Sequence, residues 1–402
     1  MQIGRNDMSV AIERDVANDA HWRDFSHQWL IRTDTTYLNH GSFGPPPQPV
    51  RQARRKWIDA LDCQPMDFYV RELEPLIQNA KSALADFIGI GSQNLVFVEN
   101  ATYGMNIVAD SFELNAGDNV LLNNHEYGAV HRIWNRACQR SSAHVVSAQL
   151  PDKFESKQQI VDCLLSSADE NTRLVVISHI TSPTAIVMPI EEICAAFRER
   201  DIAVAVDGPH APAQIDLNIG KLGCDFYTAS CHKWLSASLG SGFLFVAPKW
   251  QAQIQPPLKS WGRLLPAIPE KWDEEFTWSG TRDPSAYLST ATAIDYMTNQ
   301  VGLDNFQQRT RFLATRAEQM LTEEFGTQTI ANRNDGWYAS MAHVPLPAGD
   351  FSSLQNDLWN EYKIEVPIIH FEEKWFIRVS CHLYNSLKQL ETLKFAVRKF
   401  LV

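Results

Sequence analysis

Between about residues 50 and 290 the chain alternates short, uninterrupted apolar runs with helical stretches, and this alternation narrows the possible folds more than any other feature. The runs lie at 95–98, 119–122, 174–177, 202–206, 225–228 and 242–246. A strand that is apolar at consecutive positions has to be buried on both faces, so the pattern predicts a mostly parallel sheet with helices covering each side. One of the intervening stretches places Ile190, Ile193, Cys194 and Phe197 on a single face at helical spacing. In such sheets the ligand sits beyond the carboxyl ends of the strands, where Asn100, Tyr127, Asp207 and Lys233 would fall.

The pattern changes on either side of this region. The first 30 residues read as an amphipathic arm with Trp22, Phe25 and Trp29, followed by a short strand and the rigid turn Gly44-Pro45-Pro46-Pro47. After about residue 290 come helix and then shorter strands at 338–344, 364–369 and 375–379. A closing helix comes last, whose Ser386 and Gln389 have capping-box spacing and whose Leu390, Leu393, Val397 and Phe400 form an apolar stripe. The expected organisation is an arm at 1–30 packing with the small domain, a large α/β domain at 31–290 and a small α+β domain at 291–402.

With 402 residues, 45% of them hydrophobic, the chain can bury a large core, and its formal charge of −11 argues against nucleic acid or an anionic membrane as partner. Seven cysteines are scattered with no C-x-x-C pair, which suggests neither a disulfide framework nor a zinc site and fits a reducing cytoplasm. His125, Glu126 and His131 lack metal-ligand spacing, so no metal is expected. The N-terminus has no signal-peptide core, and no apolar run approaches the roughly 20 residues of a membrane helix.

Two segments carry the chemistry. Residues 203–210, Ala-Val-Ala-Val-Asp-Gly-Pro-His, are an apolar strand ending in the Asp207 carboxylate, and about 25 positions on, a βαβ step later, Thr-Ala-Ser-Cys-His leads into Lys233. Alone, Asp207 would equally be a turn or capping residue and Lys233 a solvated amine. Together they meet the needs of pyridoxal phosphate: an amine to bond the aldehyde and a carboxylate to keep the pyridine nitrogen protonated, so that the ring acts as an electron sink.

This pair resembles the class V aminotransferase family of fold-type I pyridoxal phosphate enzymes, in particular its isopenicillin N epimerase-like branch. Further matching blocks are Tyr37 to Gly44, Glu99 to Asn106, His125 to Ala129, Trp278 to Asp283, Ile377 to Ser380 and Tyr384-Asn385. The resemblance implies a fold-type I transferase architecture with a smaller α+β C-terminal domain. It also implies roles for individual residues. Asn100, Ala101 and Thr102, with Ser230 and His232, would bind the cofactor phosphate. Tyr127 would stack on the ring where many relatives have histidine, unless it is a core tyrosine. His210 would contact the phenolic oxygen. Arg378 would clamp the substrate carboxylate, with Asn39 and His40 beside it. Thr281 would reach a partner's phosphate, implying a homodimer with shared sites.

Lys233 is the natural base for the α-proton. The fate of the α-carbon once that proton has left is not written in the motifs. Epimerisation or racemisation of an amino acid is the first reading, with Tyr127 or His40 as the second acid. A carbon–sulfur lyase acting on a cysteine conjugate, or an aminotransferase, is the alternative. Desulfurases of the family carry a nucleophilic cysteine ahead of the arginine, whereas residues 339–380 contain none. A catalytically silent relative is opposed by the intact lysine, aspartate and arginine.

Overall fold

The computed structural model describes residues 15–260 and 271–401, so the first 14 residues of the expected arm lie outside the described residues. In chain order the strands are β1 (Thr36–Tyr37), β2 (Leu95–Val98), β3 (Asn119–Asn123), β4 (His144–Ala148), β5 (Thr172–Ser178), β6 (Ala203–Asp207), β7 (Phe226–Ser230), β8 (Gly242–Val246), β9 (Met341–Pro345), β10 (Ile364–Glu365), β11 (Ile368–Phe371) and β12 (Lys374–Ser380).

The central sheet has seven strands in the order β2-β8-β7-β6-β5-β3-β4. β8 runs antiparallel to both its neighbours, and the remaining pairings are parallel. This is the mostly parallel, helix-covered sheet that the alternation predicts. Successive residues of one strand enter different cores: Val175, Ile177, Val204 and Val206 pack in one cluster, while Leu174, Val176, Ala203 and Ala205 pack in another on the opposite face. β4 carries no uninterrupted apolar run because it is an edge strand whose His144 and Ser147 are exposed.

A separate antiparallel sheet, β11-β12-β9, lies in the C-terminal region above a third core containing Leu313, Val344, Ile377, Val379, Leu390 and Leu393. Leu38 belongs to this core, because β1 pairs in parallel with β10 and Asn39 bridges to Ser380. The run 364–369 is two strands rather than one. Pro367 has no N–H to continue a ladder; instead its carbonyl accepts from the Arg378 backbone N–H at 3.1 Å. The capping box of Ser386 and Gln389 forms as the spacing predicts, opening the helix Leu387–Arg398. Phe400 lies just past that helix, half-buried against the same core.

The N-terminal segment is tied to both regions. Trp22 and Trp29 join the core that holds Val204 and Val206, whereas Asp19 accepts from the Leu387 N–H and pairs with the fully buried Arg309. The proline turn after Gly44 leads into the helix Gln48–Cys63, and the Trp29 indole donates to the Pro45 carbonyl at 2.9 Å. Among the described residues no helix is long and apolar enough to cross a membrane.

Candidate active site

The carboxyl ends of β2, β3, β5, β6 and β7 open onto one cavity of about 600 Å³. Of the residues singled out from sequence, Asn100, Ala101, Thr102, Tyr127, Asp207, His210, Ser230, His232, Lys233 and Arg378 line it together. Asn39, His40 and Thr281 are not among its lining residues.

One end of the cavity is built to receive an anion. Asn100 caps the helix Ala101–Ser111, its side-chain oxygen accepting from the Tyr103 N–H at 2.9 Å. The helix therefore aims the positive end of its dipole and its first N–H groups at the opening. Gly104 lets the helix approach this closely, since a Cβ there would collide with the Thr228 hydroxyl on β7. Ser230 Oγ accepts from the Ala101 N–H at 3.1 Å, which leaves its own O–H proton to donate. His232 adds a ring nitrogen, Nδ1, that is buried without a partner, and burial holds this histidine neutral by pushing its pKa down to about 4.

Lys233 and Asp207 stand deeper, on the ends of neighbouring strands. Burial first, and then the positive charge of Arg378, lowers the pKa of the lysine below its ordinary range; Asp207 works against this. Asp207 is shifted upward by burial, opposed by Lys233. A lysine so placed can be a neutral amine near neutral pH, as a base must be.

His210 faces the amine, its Nε2 3.2 Å from Lys233 Nζ. The Trp234 indole N–H can only donate, and it points at His210 Nδ1 at 3.2 Å, so the neutral ring carries its proton on Nε2 and presents a donor to the cavity. The His210 carbonyl is in turn held by the Gln214 amide at 2.7 Å.

His40 lies behind the lysine, fully buried. Its Nε2 donates to the Lys233 carbonyl at 3.0 Å and its Nδ1 accepts from the Tyr384 hydroxyl at 2.8 Å, while burial pushes its pKa down to about 3. Both nitrogens are thus engaged, Nε2 in holding the lysine's backbone and Nδ1 with Tyr384. Gly44 completes this support, because a Cβ there would stand 2.5 Å from the His232 carbonyl and 2.6 Å from the Lys233 carbonyl.

Arg378, on β12, crosses from the C-terminal sheet into the cavity and is buried. It donates to the Ser182 carbonyl and, at 3.0 Å, to Ser42 Oγ, while its Nε is buried with no partner. Burial lowers its pKa to about 10, so it stays a cation. Tyr127, which caps the helix Gly128–Arg140, is 48% exposed and lines the cavity, so it is not a core tyrosine. Asn39 is buried and donates to Glu365 at 3.2 Å, and Thr281 is exposed.

Glu126 does not line the cavity but is buried against Ser178, which does; sequence reasoning touched it only in a weak metal motif and within the block His125 to Ala129, without foreseeing its burial. Its carboxyl is buried, accepting from the Ser178 N–H at 2.8 Å, the Ser178 hydroxyl at 2.5 Å and the Asn123 amide at 2.5 Å. Burial is the main cause that raises its pKa to about 8, with the Asp207 charge adding to it. A charged residue between β3 and a helix carries no signal that it will fold inward. Ser42 and Ser182, the partners of Arg378, were equally hidden because the chain brings them from loops 336 and 196 positions away.

Comparison with known proteins identifies the family and the fold. The model of the family "Aminotransferase class-V" matches residues 66–393. The chain is 32% identical over 394 residues to an isopenicillin N epimerase of Amycolatopsis lactamdurans, spanning 94% of this chain and 98% of that protein. It is 24% identical over 415 residues to an L-cysteine desulfhydrase of Arabidopsis thaliana, spanning 93% and 89%. A solved C-DES mutant with glycine covalently linked to its PLP cofactor shares the fold at a TM-score of 0.81 and 20% identity, covering 92% of this chain and 98% of that one. The chain belongs to the class V aminotransferase family of pyridoxal phosphate-dependent enzymes.

Proposed function

We propose that this enzyme inverts the α-carbon of an amino acid or of a small molecule that contains one. The observation that carries the reading is a cavity with two proton-transfer groups of different chemistry, the Lys233 amine and the Tyr127 phenol, and no thiol. All seven cysteines lie outside its lining, and burial pushes Cys231 and Cys381 up to about 12, so neither supplies a thiolate. The match to isopenicillin N epimerase over nearly the whole of both chains supports the same reading.

The residues present fit the cofactor. Its phosphate would be held by the N-terminus of the helix Ala101–Ser111, by Thr102 and Ser230, and by the unpartnered Nδ1 of His232. Its ring nitrogen would face Asp207, and its phenolic oxygen the Nε2–H of His210. When bound, pyridoxal phosphate draws negative charge away from the α-carbon. Arg378 holds the substrate carboxylate in its planar fork. Lys233 Nζ takes the α-proton, and the Tyr127 hydroxyl returns one from the other side. Exposed Thr281 is the residue this reading assigns to a neighbouring copy's cofactor phosphate.

Deuterium tracing tests the reaction. In D₂O the enzyme is expected to place solvent deuterium at the α-carbon with inversion, and to release neither ammonia nor a keto acid. Pyruvate and ammonia appearing in step with the loss of a cysteine conjugate would transfer the assignment to a carbon–sulfur lyase.

Asp207→Asn should lower turnover more than it lowers cofactor affinity, because an amide is a poor partner for a protonated pyridine nitrogen. The two effects are read separately, one from initial rates and the other from cofactor titration. Equal turnover in variant and parent would exclude the pairing.

A further inference from the structure

The segment that carries the lysine leaves the central sheet at Ser230 and turns back on itself within a few residues. The Lys233 carbonyl closes this turn by accepting from the Ser236 N–H at 2.9 Å. Ser236 sits at a φ of +56°, in the left-handed region that a residue with a Cβ occupies only when its surroundings hold it there. The turn is gripped at both ends by segments remote in sequence. His40, from the loop after β1, donates its Nε2–H to the same Lys233 carbonyl at 3.0 Å, and His382, just past β12, places its Nε2 3.3 Å from the Ser236 hydroxyl.

The two histidines are fully buried and their rings stack, 3.9 Å apart and 17° from parallel. Tyr384 completes the group, with its ring 5.2 Å from that of His382 and its hydroxyl 2.8 Å from His40 Nδ1. Donor and acceptor roles are fixed from one end to the other. A carbonyl can only accept, so the neutral His40 ring carries its proton on Nε2; Nδ1 is then a lone pair, and the Tyr384 hydroxyl is the donor that meets it. Burial raises the Tyr384 phenol well above its ordinary range, so it keeps the proton it donates. Tyr384 follows Arg378 by six residues, so the region that supplies the arginine also braces the lysine.

The Lys233 amine has to serve twice, as anchor of the cofactor and, once displaced, as base, and both tasks need its main chain in the same place. A displacement of about 1 Å can cost about 10²-fold in rate. We propose that His40 is a positioning residue for Lys233 and that Tyr384 acts through it, by holding the ring in the orientation that grips the lysine carbonyl. This role rests on the reading of Lys233 as anchor and base. It also removes His40 from the candidates for second acid, because His40 does not line the cavity and both its nitrogens are engaged.

The test follows the full-length protein, stripped of cofactor, as it binds two probes. Pyridoxal phosphate bonds to the amine with loss of water and gives the borohydride-reducible chromophore; pyridoxine 5′-phosphate has no aldehyde and only fills the cavity. In His40→Ala the chromophore is expected to form about 10²-fold more slowly, while the affinity for pyridoxine 5′-phosphate stays within about twofold of the parent. His40→Gln, which restores an N–H donor near the position of Nε2, should recover to within about tenfold. Tyr384→Phe should slow bonding by about tenfold, the worth of one hydrogen bond, and should add no more than about twofold to His40→Gln, because the ring it acts through is gone.

Equal slowing in His40→Gln and His40→Ala, an additive effect of Tyr384→Phe, or unchanged bonding in every variant would overturn the proposal. Parallel weakening of pyridoxine 5′-phosphate would also overturn it, since that marks general disruption of the cavity. If His40→Ala does not fold, the glutamine and phenylalanine variants carry the same test. A chromophore formed at the parent rate by Lys233→Ala would remove the reading of Lys233 itself, an outcome distinct from one in which only the His40 variants behave like the parent.

Discussion

Replacement of Lys233 by alanine is expected to lower turnover by at least about 10²–10⁴-fold, the range found when a positioned general base is removed. The effect is specific because the backbone framework of the cavity does not depend on the amine. His40 and Gly44 support the backbone of residue 233, not its side chain. Asp207 and His210 are fixed by the end of β6 and by the Trp234 and Gln214 hydrogen bonds. The variant should therefore fold and retain an anion site at the helix Ala101–Ser111 while losing the base. Borohydride reduction and then peptide mapping give the direct check. A phosphopyridoxyl label should appear on Lys233 in the parent and on no lysine in the variant. A label at another lysine, or undiminished turnover, would remove Lys233 from its role.

Arg378→Lys is the second large effect. Breaking one side of a desolvated ion pair costs about 2–5 kcal/mol, and lysine recovers only part of it because an ammonium cannot grip both carboxylate oxygens in a plane. In this structure the guanidinium is also held from two directions, by Ser182 and by Ser42, so its orientation is set before substrate arrives. A lysine at 378 would reach at most one of these at a time. The KM of an amino-acid substrate should rise by at least about tenfold, with a smaller change in kcat, since the lost contact binds the carboxylate and does not move the proton. Circular dichroism matching the parent would separate this from misfolding. Unchanged KM would mean that the carboxylate binds elsewhere.

Residues that share a short stretch of chain with a clear pattern are readable from the sequence. The alternation of apolar strands and helices specifies the central sheet because burial on both faces demands it. The ends of those strands then locate Asn100, Tyr127, Asp207 and Lys233 at one edge. Edge strand β4 is unreadable for the converse reason, as it is half exposed and carries no apolar run. Strands β1 and β10, of two residues each, are too short to hold a period, so their pairing, and the break between β10 and β11 within the expected run 364–369, were not legible.

Within the site, identity is legible but depth and partnership are not. His40 belongs to a readable block, yet only packing shows that both its nitrogens are spent on Lys233 and Tyr384. Glu126 looks like a surface charge until the helix Gly128–Arg140 and β5 close over it. The neutral tautomer of His210 depends on a Trp234 indole that could have pointed anywhere.

By itself the sequence determined the sheet and put Asp207 and Lys233 at the ends of neighbouring strands, because periodicity is a local property, while the reading of Arg378 came from family resemblance. The tertiary structure decided which groups are charged and which nitrogen bears a proton. Each of these depends on desolvation and on contacts between residues hundreds of positions apart, as between Asn39 and Glu365, or between Ser42 and Arg378.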